Sequence, residues 1–213
     1  LRSPYLDKEF DTAREMGVIP ADSTNIGGSW SALTPAGEAT NLNLAHMYGF
    51  DPTDVMDLTR AEMQGRQEAM HALMALKKVV PGFESAKLRN FGMTLGVRDS
   101  RKIMGRYNLC SEDVRSQAKF ADSIGIFPEF IDGYNILILP TTGRYFEVPY
   151  GCMVPLEVDN LLVAGRRVAG DMVSHAAMRN MMACTVTGQG AGVAAAVSLQ
   201  QDKSTAQVDI AAV

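Results

Sequence analysis

Cysteine is scarce in this chain, and its pattern points away from two classes of protein. The 213 residues include only Cys110, Cys152 and Cys184, and no two of them are spaced as C-x-x-C. An odd number of cysteines without paired spacing predicts neither a disulfide framework nor a zinc site. We therefore expect reduced, buried thiols, no bound metal and a cytoplasmic location.

Long basic runs and long apolar runs are also missing. The net charge is −4, and no more than two basic residues occur in a row, so we expect no nucleic-acid partner. No apolar run reaches the roughly 20 residues that span a bilayer, and "LRSPYLDKEF" lacks the apolar segment of a signal peptide, so we expect no membrane association. The chain begins at Leu1 rather than Met, which we interpret as a processed chain or a fragment.

What remains is ordinary globular composition, with 46% apolar and 21% charged residues. Ser3 and Pro4 predict the start of a helix over Tyr5–Met16, which Gly17 ends. Leu42 and Leu44 alternate as in a strand. The clearest helix is predicted from Thr59 to Val80, with Thr59 and Glu62 as a T-x-x-E capping box. Its apolar stripe comprises Met63, Met70, Leu73, Met74 and Leu76.

The second half mixes short strands and helices. "AKLRNFGMTLGVRDSRKIMG", "GYNILILP", "RYFEVPYGCMVP" and "DNLLVAGR" predict strands, and "CSEDV" predicts a helix with Ser111 as its N-cap. A helix rich in small residues is predicted from Cys184 to Leu199, followed by a polar tail. These elements form no complete β-α-β array, so the strands that complete a sheet would come from elsewhere. We expect a mixed α/β fold.

Two segments carry glycines where a ligand could approach. In "LLVAGRRVAG", Gly165 and Arg166 follow a buried strand at the edge of a sheet where ligands bind, although a plain core strand with a turn explains the pattern too. In "TVTGQGAGVAAA", Gly188 and its two neighbours at alternate positions open a helix at a cost of roughly 1 kcal/mol each. Free N–H groups there would favour an electron-rich partner.

Two other interpretations of "TVTGQGAGVAAA" stay open. The glycines could serve tight packing of the helix on a sheet. Alternatively, "ACTVTGQGAG" could be the strand, turn and helix of an NAD(P)-binding Rossmann unit with Asp209 on the ribose, although the spacing does not match G-x-G-x-x-G.

Several polar residues could act on a substrate. His175 and Arg179 are spaced i,i+4, so a helix would place both on one face, where His can exchange a proton and Arg can bind a carboxylate or keto group. A structural histidine is the alternative. Arg98 and Arg101 could face a substrate anion, or they could belong to a solvated turn. We interpret His71, like His46, as structural.

The motifs together resemble a known family. In order along the chain stand "LGVRDSRKIMGRYNLCSEDV", "VPYGCMVPLEVDNLLVAGRRVAG" and "SHAAMRNMMACTVTGQGAGVAAA". They are similar to the C-terminal part of FAD-dependent oxidoreductases, which is recognised by "GVRESRRI" and by "PYRCLVP" followed by "DNLLVAGR" and "TGQAAGTAAA". The resemblance covers about residues 45 to 198. It departs where Met182 stands in place of a common proline.

The resemblance implies an incomplete FAD-binding Rossmann-like domain over 149–200, part of a substrate or cap domain over 1–148, and a tail over 201–213. FAD would be the cofactor, and the chain would move a hydride between an unknown small organic substrate and the flavin. His175 and Arg179 would be catalytic, and Arg98 and Arg101 would bind substrate. The implied FAD contacts are Gly165, Arg166, Thr187, Gly188, Gln189 and Gly190.

The family's N-terminal G-x-G-x-x-G loop, which holds the ADP half of FAD, occurs nowhere in this chain. We therefore expect a partner chain or a missing N-terminal half to supply it, and we expect the isolated chain to bind FAD weakly. A non-catalytic subunit that only docks on such a partner is the alternative function.

Overall fold

The computed structural model describes residues 5–29, 32–33, 36, 39–40, 42–133 and 136–213. The chain divides into two compact units, Leu1–Val97 and Arg98–Val213. Each unit has its own hydrophobic core. The predicted boundary between residues 148 and 149 concerns the cofactor and cap domains of the family, and it stays a prediction.

The first unit joins two helices to short antiparallel ribbons. Strand β1 pairs with β4, and β2 pairs with β3. Leu6, Phe10 and Leu76 are buried at the centre of its core. Its elements are α1 Asp7–Glu15, β1 Ile26–Ser29, β2 Ala32–Leu33, β3 Ala39–Thr40, β4 Asn43–Ala45 and α2 Val55–Val79.

The predicted helix over Tyr5–Met16 is confirmed as α1, whereas its predicted start signal at Ser3 and Pro4 lies outside the described residues. The strand expected around Leu44 is confirmed as β4.

Helix α2 begins four residues earlier than its predicted start, and the predicted capping box is wrong. The Asp54 carboxylate caps the helix by accepting hydrogen bonds from the amides of Met56 and Asp57 at 2.7 and 3.3 Å. The Thr59 hydroxyl, one turn inside, donates to a backbone carbonyl at 2.8 Å. Glu62 pairs with an arginine one turn along instead of returning to the helix start. An acidic cap upstream therefore displaces the T-x-x-E pattern.

The buried face of α2 also differs from the predicted stripe. Met63, Met70 and Met74 are exposed, and of the stripe only Leu76 is fully buried. Alanines and Glu68 occupy most of the buried positions. Helical spacing identified the helix, but it did not identify the face that packs.

The second unit packs helices α4 and α5 against two ribbons. Strand β5 pairs with β8 and β6 with β7, both antiparallel. The mixed α/β class is confirmed. The elements of this unit are α3 Ser111–Arg115, β5 Ser123–Pro128, β6 Ile131–Gly133, β7 Ile136–Ile138, β8 Tyr145–Pro149, α4 Met172–Met178 and α5 Met181–Gln201, with 3-10 turns at Tyr150–Met153, Gly165–Arg167, Thr205–Gln207 and Ile210–Ala212.

Some local predictions for the second unit are confirmed, and others are wrong. Strands β7 and β8 fall on segments predicted as strands, whereas β5 and all of β6 except Gly133 lie outside them. Helix α3 forms where expected, but its N-cap is Cys110, whose amide donates to the Asp113 carboxylate at 2.9 Å. Residues 201–213, expected as a loose tail, form two 3-10 turns, and Val208 is buried in the core. The Tyr150 hydroxyl holds this segment by donating to the Thr205 carbonyl at 2.6 Å.

Two predicted strands are absent from the described residues. Residues 87–104 contain no strand, and residues 161–164 of "NLLVAGR" run without sheet pairing up to the turn at Gly165–Arg167. The amide of Val163 bonds the carbonyl of Met153 at 2.9 Å, which is not a ladder. A strand requires a neighbour for its backbone groups, and the sequence pattern cannot show whether one is present.

Helix α5 is long and apolar enough to cross a membrane by length and composition, although its sequence contains no uninterrupted apolar run of that length. One such helix is weak evidence, because core helices of soluble proteins pass the same test. Met181, Met182 and Leu199 are strongly exposed on α5, and a third of its most apolar window is buried.

We predict that Asp54→Ala lowers the free energy of unfolding by about 1 kcal/mol, because two helix amides lose their acceptor. Thr59→Ala serves as the matched control. It should leave the stability unchanged or raise it slightly, since alanine favours a helix interior. Urea unfolding of both variants measures the difference, and a larger loss for Thr59→Ala would restore the capping box.

Candidate functional site

The 3-10 turn at Gly165–Arg167 is hydrogen-bonded to helix α5. The amide of Gly165 donates to the hydroxyl oxygen of Thr187 at 2.9 Å, and Thr187 is fully buried. The same hydroxyl lies 3.1 and 3.2 Å from the carbonyls of Ala183 and Cys184 and bonds back into its own helix. Two predicted cofactor-binding residues are therefore in direct contact.

Gly165 has a backbone conformation that few other residues adopt. Its φ is +73°, in the left-handed region that favours glycine. A β-carbon there would lie 3.7 Å from the Cys184 sulfur, an ordinary contact. The backbone angle, rather than lack of space, therefore accounts for glycine at this position.

Helix α4 holds His175 in a fixed position. Asp171 caps the helix by accepting from the Ser174 amide at 2.7 Å, and its second oxygen accepts from the Ser111 amide at 2.7 Å. The Ser174 hydroxyl donates to the carbonyl of Leu109 at 2.9 Å. These contacts anchor the start of α4, so His175 in its first turns has little freedom to move.

His175 is buried among charges of both signs. It is 3% exposed, and its Nε2 lies 3.6 Å from an Asp99 carboxylate oxygen that also accepts from Lys102 at 2.9 Å. Burial lowers the pKa of His175, the Lys102 and Arg179 cations lower it further, and Asp99 opposes them. Its Nδ1 is buried without a hydrogen-bond partner among the described residues. A neutral imidazole with one unused nitrogen is the result.

The aspartate of strand β6, Asp132, brings together a residue predicted to be catalytic and one predicted to bind substrate. Arg179 follows α4 directly, its amide bonds the carbonyl of His175 at 2.9 Å, and its guanidinium donates to the carbonyl of Asp132. Arg98 pairs with the Asp132 carboxylate at 3.0 Å. Arg101 is exposed, and its carbonyl accepts from Arg167 at 2.8 Å. The structure thus joins Arg98 and Arg179, and it leaves the Arg101 side chain at the surface.

The predicted helix start at the glycines is wrong. Helix α5 begins at Met181, so Thr187 to Gly190 lie in its second and third turns, where amides bond within the helix. The amides that helix geometry leaves unbonded belong to the first turn, around Met181 to Ala183. Because "ACTVTGQGAG" is wholly helical, it supplies neither the strand nor the glycine turn of an NAD(P)-binding unit.

The alternate glycines of α5 face different surroundings. A β-carbon at buried Gly190 would lie 2.7 Å from the end of Ile124, so this glycine serves helix packing. Gly188 and Gly192 have nothing within 4 Å of that position, and Gly188 and Gln189 are exposed. Packing therefore explains Gly190, and it does not explain the other two.

Asp99 and Asp132 were missed from the sequence as site residues. Asp99 stands inside "GVRDSRKIMG", between the two arginines that the sequence singled out, so its position was a signal. Asp132 carries no motif, and only the pairing of strand β6 with α4 and Arg98 reveals it. None of the predicted site residues lines the cleft of about 1600 Å³ in the first unit, between α2 and residues 81–96.

We predict that one substitution has opposite effects at two glycines. Gly188→Ala should raise the free energy of unfolding by about 1 kcal/mol, because alanine favours the helix and meets no atom there. Gly165→Ala should lower it by about 1 kcal/mol, since its backbone is left-handed. Denaturant unfolding of both variants tests this, and the same sign for both would contradict the described surroundings.

We predict that His175 makes the protein less stable in weak acid. Its pKa is lowered on folding, so the unfolded chain takes up the proton first. Stability is fully present above about pH 6.5 and is lost, by at most about 1.4 kcal/mol per pH unit, as the pH falls toward the folded-state pKa. His175→Gln should lack this part of the pH dependence in urea unfolding. Asp99→Asn should extend the loss to lower pH, and identical slopes in wild type and His175→Gln would contradict the prediction.

The comparisons with known proteins agree with the resemblance. A family model described as FAD dependent oxidoreductase matches residues 7–213. No curated protein and no solved structure matches the chain. FAD is the cofactor that this family implies. Because the match covers nearly all of the sequence, the chain belongs to the FAD-dependent oxidoreductase family.

Proposed function

We propose that this chain is the C-terminal portion or subunit of an FAD-dependent oxidoreductase that transfers a hydride between a small organic substrate and flavin. The observation that carries the proposal is the convergence of α4, α5 and the turn at Gly165–Arg167. Gly165 bonds Thr187 of α5, and the Arg166 backbone acts on the pKa of buried His175 in α4. Residues that the family resemblance assigns to cofactor and to substrate thus lie in one region of the fold.

The residues present fit the flavin half of the cofactor. Exposed Gly188 and Gly192 leave α5 without side-chain bulk at two positions one turn apart, a surface against which a planar ring can lie. Arg166 is an exposed cation beside it. The G-x-G-x-x-G loop for the pyrophosphate is not in this sequence, so the residues here fit only that half.

Each residue of the region would have a limited task. Gly165, Arg166 and the stretch Thr187 to Gly190 would hold the flavin. Bound FAD would supply the hydride chemistry, and the protein would supply orientation and charge. His175, neutral at pH 7 because its pKa is lowered, would accept or deliver a proton at Nδ1. Arg179 and Arg98, held by Asp132, would orient an anionic or keto substrate.

A second polypeptide segment would complete the site. The four sheets among the described residues each have two strands, so each strand leaves one edge unpaired within its sheet. Helix α5 also exposes large apolar side chains at Met181, Met182 and Leu199. These features support a nucleotide-binding half, carried by a partner chain or by a preceding segment, that packs on this chain.

The second candidate function is a non-catalytic subunit that docks on such a partner. The same exposed apolar face of α5 favours it. The two candidates differ in whether His175 and Arg166 matter for flavin chemistry or only for folding.

We predict that the chain purified alone lacks the visible flavin absorbance band, and that the chain co-purified with a polypeptide carrying G-x-G-x-x-G shows it. Gly188→Leu should abolish the band in the complex, because the side chain would fill the surface on which the ring lies. Gly96→Leu is the matched control, since a β-carbon at Gly96 also meets no atom within 4 Å and Gly96 lies in the other unit.

Absence of the band from both preparations would overturn the flavoprotein proposal. Retention of the band by Gly188→Leu would remove α5 from the cofactor site. His175→Gln should keep the band but slow flavin reduction by at least about 100-fold once a substrate is known. An unchanged rate of reduction in that variant would favour the docking function.

A further inference from the structure

A small polar pocket lies in the first unit, on the face of α2 that meets the turn after α1. Its volume is about 440 Å³. Its lining includes the polar side chains of Ser23, Glu68 and His71, together with Gln64 and Met63. None of these residues has a part in the proposed flavin chemistry.

The pocket contains a buried carboxylate oxygen that lacks a donor. The Glu68 side chain is 6% exposed, and its Oε2 has no hydrogen-bond partner among the described residues. The His71 Nδ1 lies 3.5 Å from this oxygen, too far for a good hydrogen bond. That nitrogen already makes a 2.6 Å hydrogen bond with the Ser23 hydroxyl. Burying a carboxylate without a donor is costly, so the vacant hydrogen-bonding position indicates a ligand.

The turn that carries Ser23 is firmly held. The Ser23 amide bonds the carbonyl of Pro20 at 3.1 Å, and the Ser23 carbonyl accepts from Arg14 at 2.8 Å. Ser23 itself is 2% exposed. Because these hydrogen bonds fix the turn, Ser23 is not free to move toward Glu68 and supply the missing donor.

The charges in the pocket favour a cation. Asp22 and Glu68 are acidic, and the pocket's Arg60 already pairs with Asp57 at the helix surface. The oxygen acceptors are carboxylate, hydroxyl and amide groups, which suit a donor with several N–H bonds. No group of three or more His, Cys, Asp or Glu side chains in the described part of the chain is placed to hold a metal ion. The exposed thioether of Met63 and the ring of Pro20 supply apolar wall for a short carbon chain.

We infer that this pocket binds a small organic primary ammonium ion, with its –NH₃⁺ group donating to Glu68 and its carbon chain between Met63 and Pro20. Glu68 is therefore a binding residue whose buried carboxylate lowers the stability of the ligand-free protein. If Glu68 served only as the structural ion-pair partner of a charged His71, its replacement would lower the stability of the protein, because removal of one member of a buried pair destabilises strongly.

The test uses the full chain, with butylammonium as the probe and tetramethylammonium, which has no N–H donor, as the matched cation. Chemical-shift titration should show saturable butylammonium binding, with a dissociation constant of roughly millimolar order. The shifts should be confined to residues 20–23 and 60–71. Tetramethylammonium should bind at least tenfold more weakly.

The decisive variant is Glu68→Gln, with Glu15→Gln on the exposed end of α1 as control. Glu68→Gln should weaken butylammonium binding at least tenfold and raise the ligand-free melting midpoint by roughly 2–4 °C, because a buried charge is removed. Glu15→Gln should change neither quantity.

Four results would overturn the inference. They are no saturable binding by the wild type, equal binding of the two cations, unchanged binding by Glu68→Gln, and a lower melting midpoint or failure to fold for that variant. Zn²⁺ binding that Glu68→Gln abolishes and that displaces butylammonium would replace the organic cation with a metal.

Discussion

The hydrogen bond from the Gly165 amide to the Thr187 hydroxyl is the contact on which the candidate flavin site depends. It holds the turn at Gly165–Arg167, which pairs with no strand among the described residues, against helix α5. A buried amide needs an acceptor, and here a helix side chain provides what a neighbouring strand would provide in a sheet. Arg166 follows directly, and its own backbone acts on the pKa of the Cys184 thiol in α5. Without Thr187, the Gly165 amide would lose this acceptor on α5.

The neutral state of the His175 imidazole follows mainly from its burial. A neutral imidazole is the less costly form where water is excluded, and two nearby cations reinforce that preference. Asp99 is shared between His175 and Lys102, so it orients the ring without fully compensating a positive charge. This environment suits an imidazole that is neutral at rest and takes up a proton when negative charge develops beside it. It suits a permanently protonated histidine less well. Arg179, one of these two cations, is held by the backbone carbonyl of Asp132.

Part of this organisation could be predicted from the sequence. Local patterns found α1, α2, α3, β7 and β8, because capping, glycine turns and alternation are encoded within a few residues. The ordered motifs found the family, which the match over residues 7–213 confirms. The sequence placed His175 and Arg179 about one helical turn apart, and the bond from the Arg179 amide to the His175 carbonyl agrees.

What failed depended on partners distant in the chain. "NLLVAGR" has the composition of a buried strand, but a strand exists only beside another, and the described residues provide none there. Helix α5 begins at Met181, earlier than the predicted start at Cys184. The stretch "MMACT" carries no capping signal that would mark a helix start. Asp132 gave no signal, since its role arises from a hairpin that brings it to two arginines from distant segments. Such contacts need the tertiary fold, and spacing alone cannot predict them.

Buried His175 and partly buried His71 show how far a residue type alone can mislead. Sequence patterns favoured His175 as functional and His71 as structural, yet each lies in a polar group that the described residues leave incomplete. At His175 the unused atom is the imidazole Nδ1, which suits exchange of a proton. At His71 the imidazole Nδ1 is hydrogen-bonded to Ser23, and the unused atom is the carboxylate oxygen of Glu68, which suits a bound donor. The chemistry therefore follows from which atom lacks a partner, because that atom determines whether the site needs a proton acceptor or a cation.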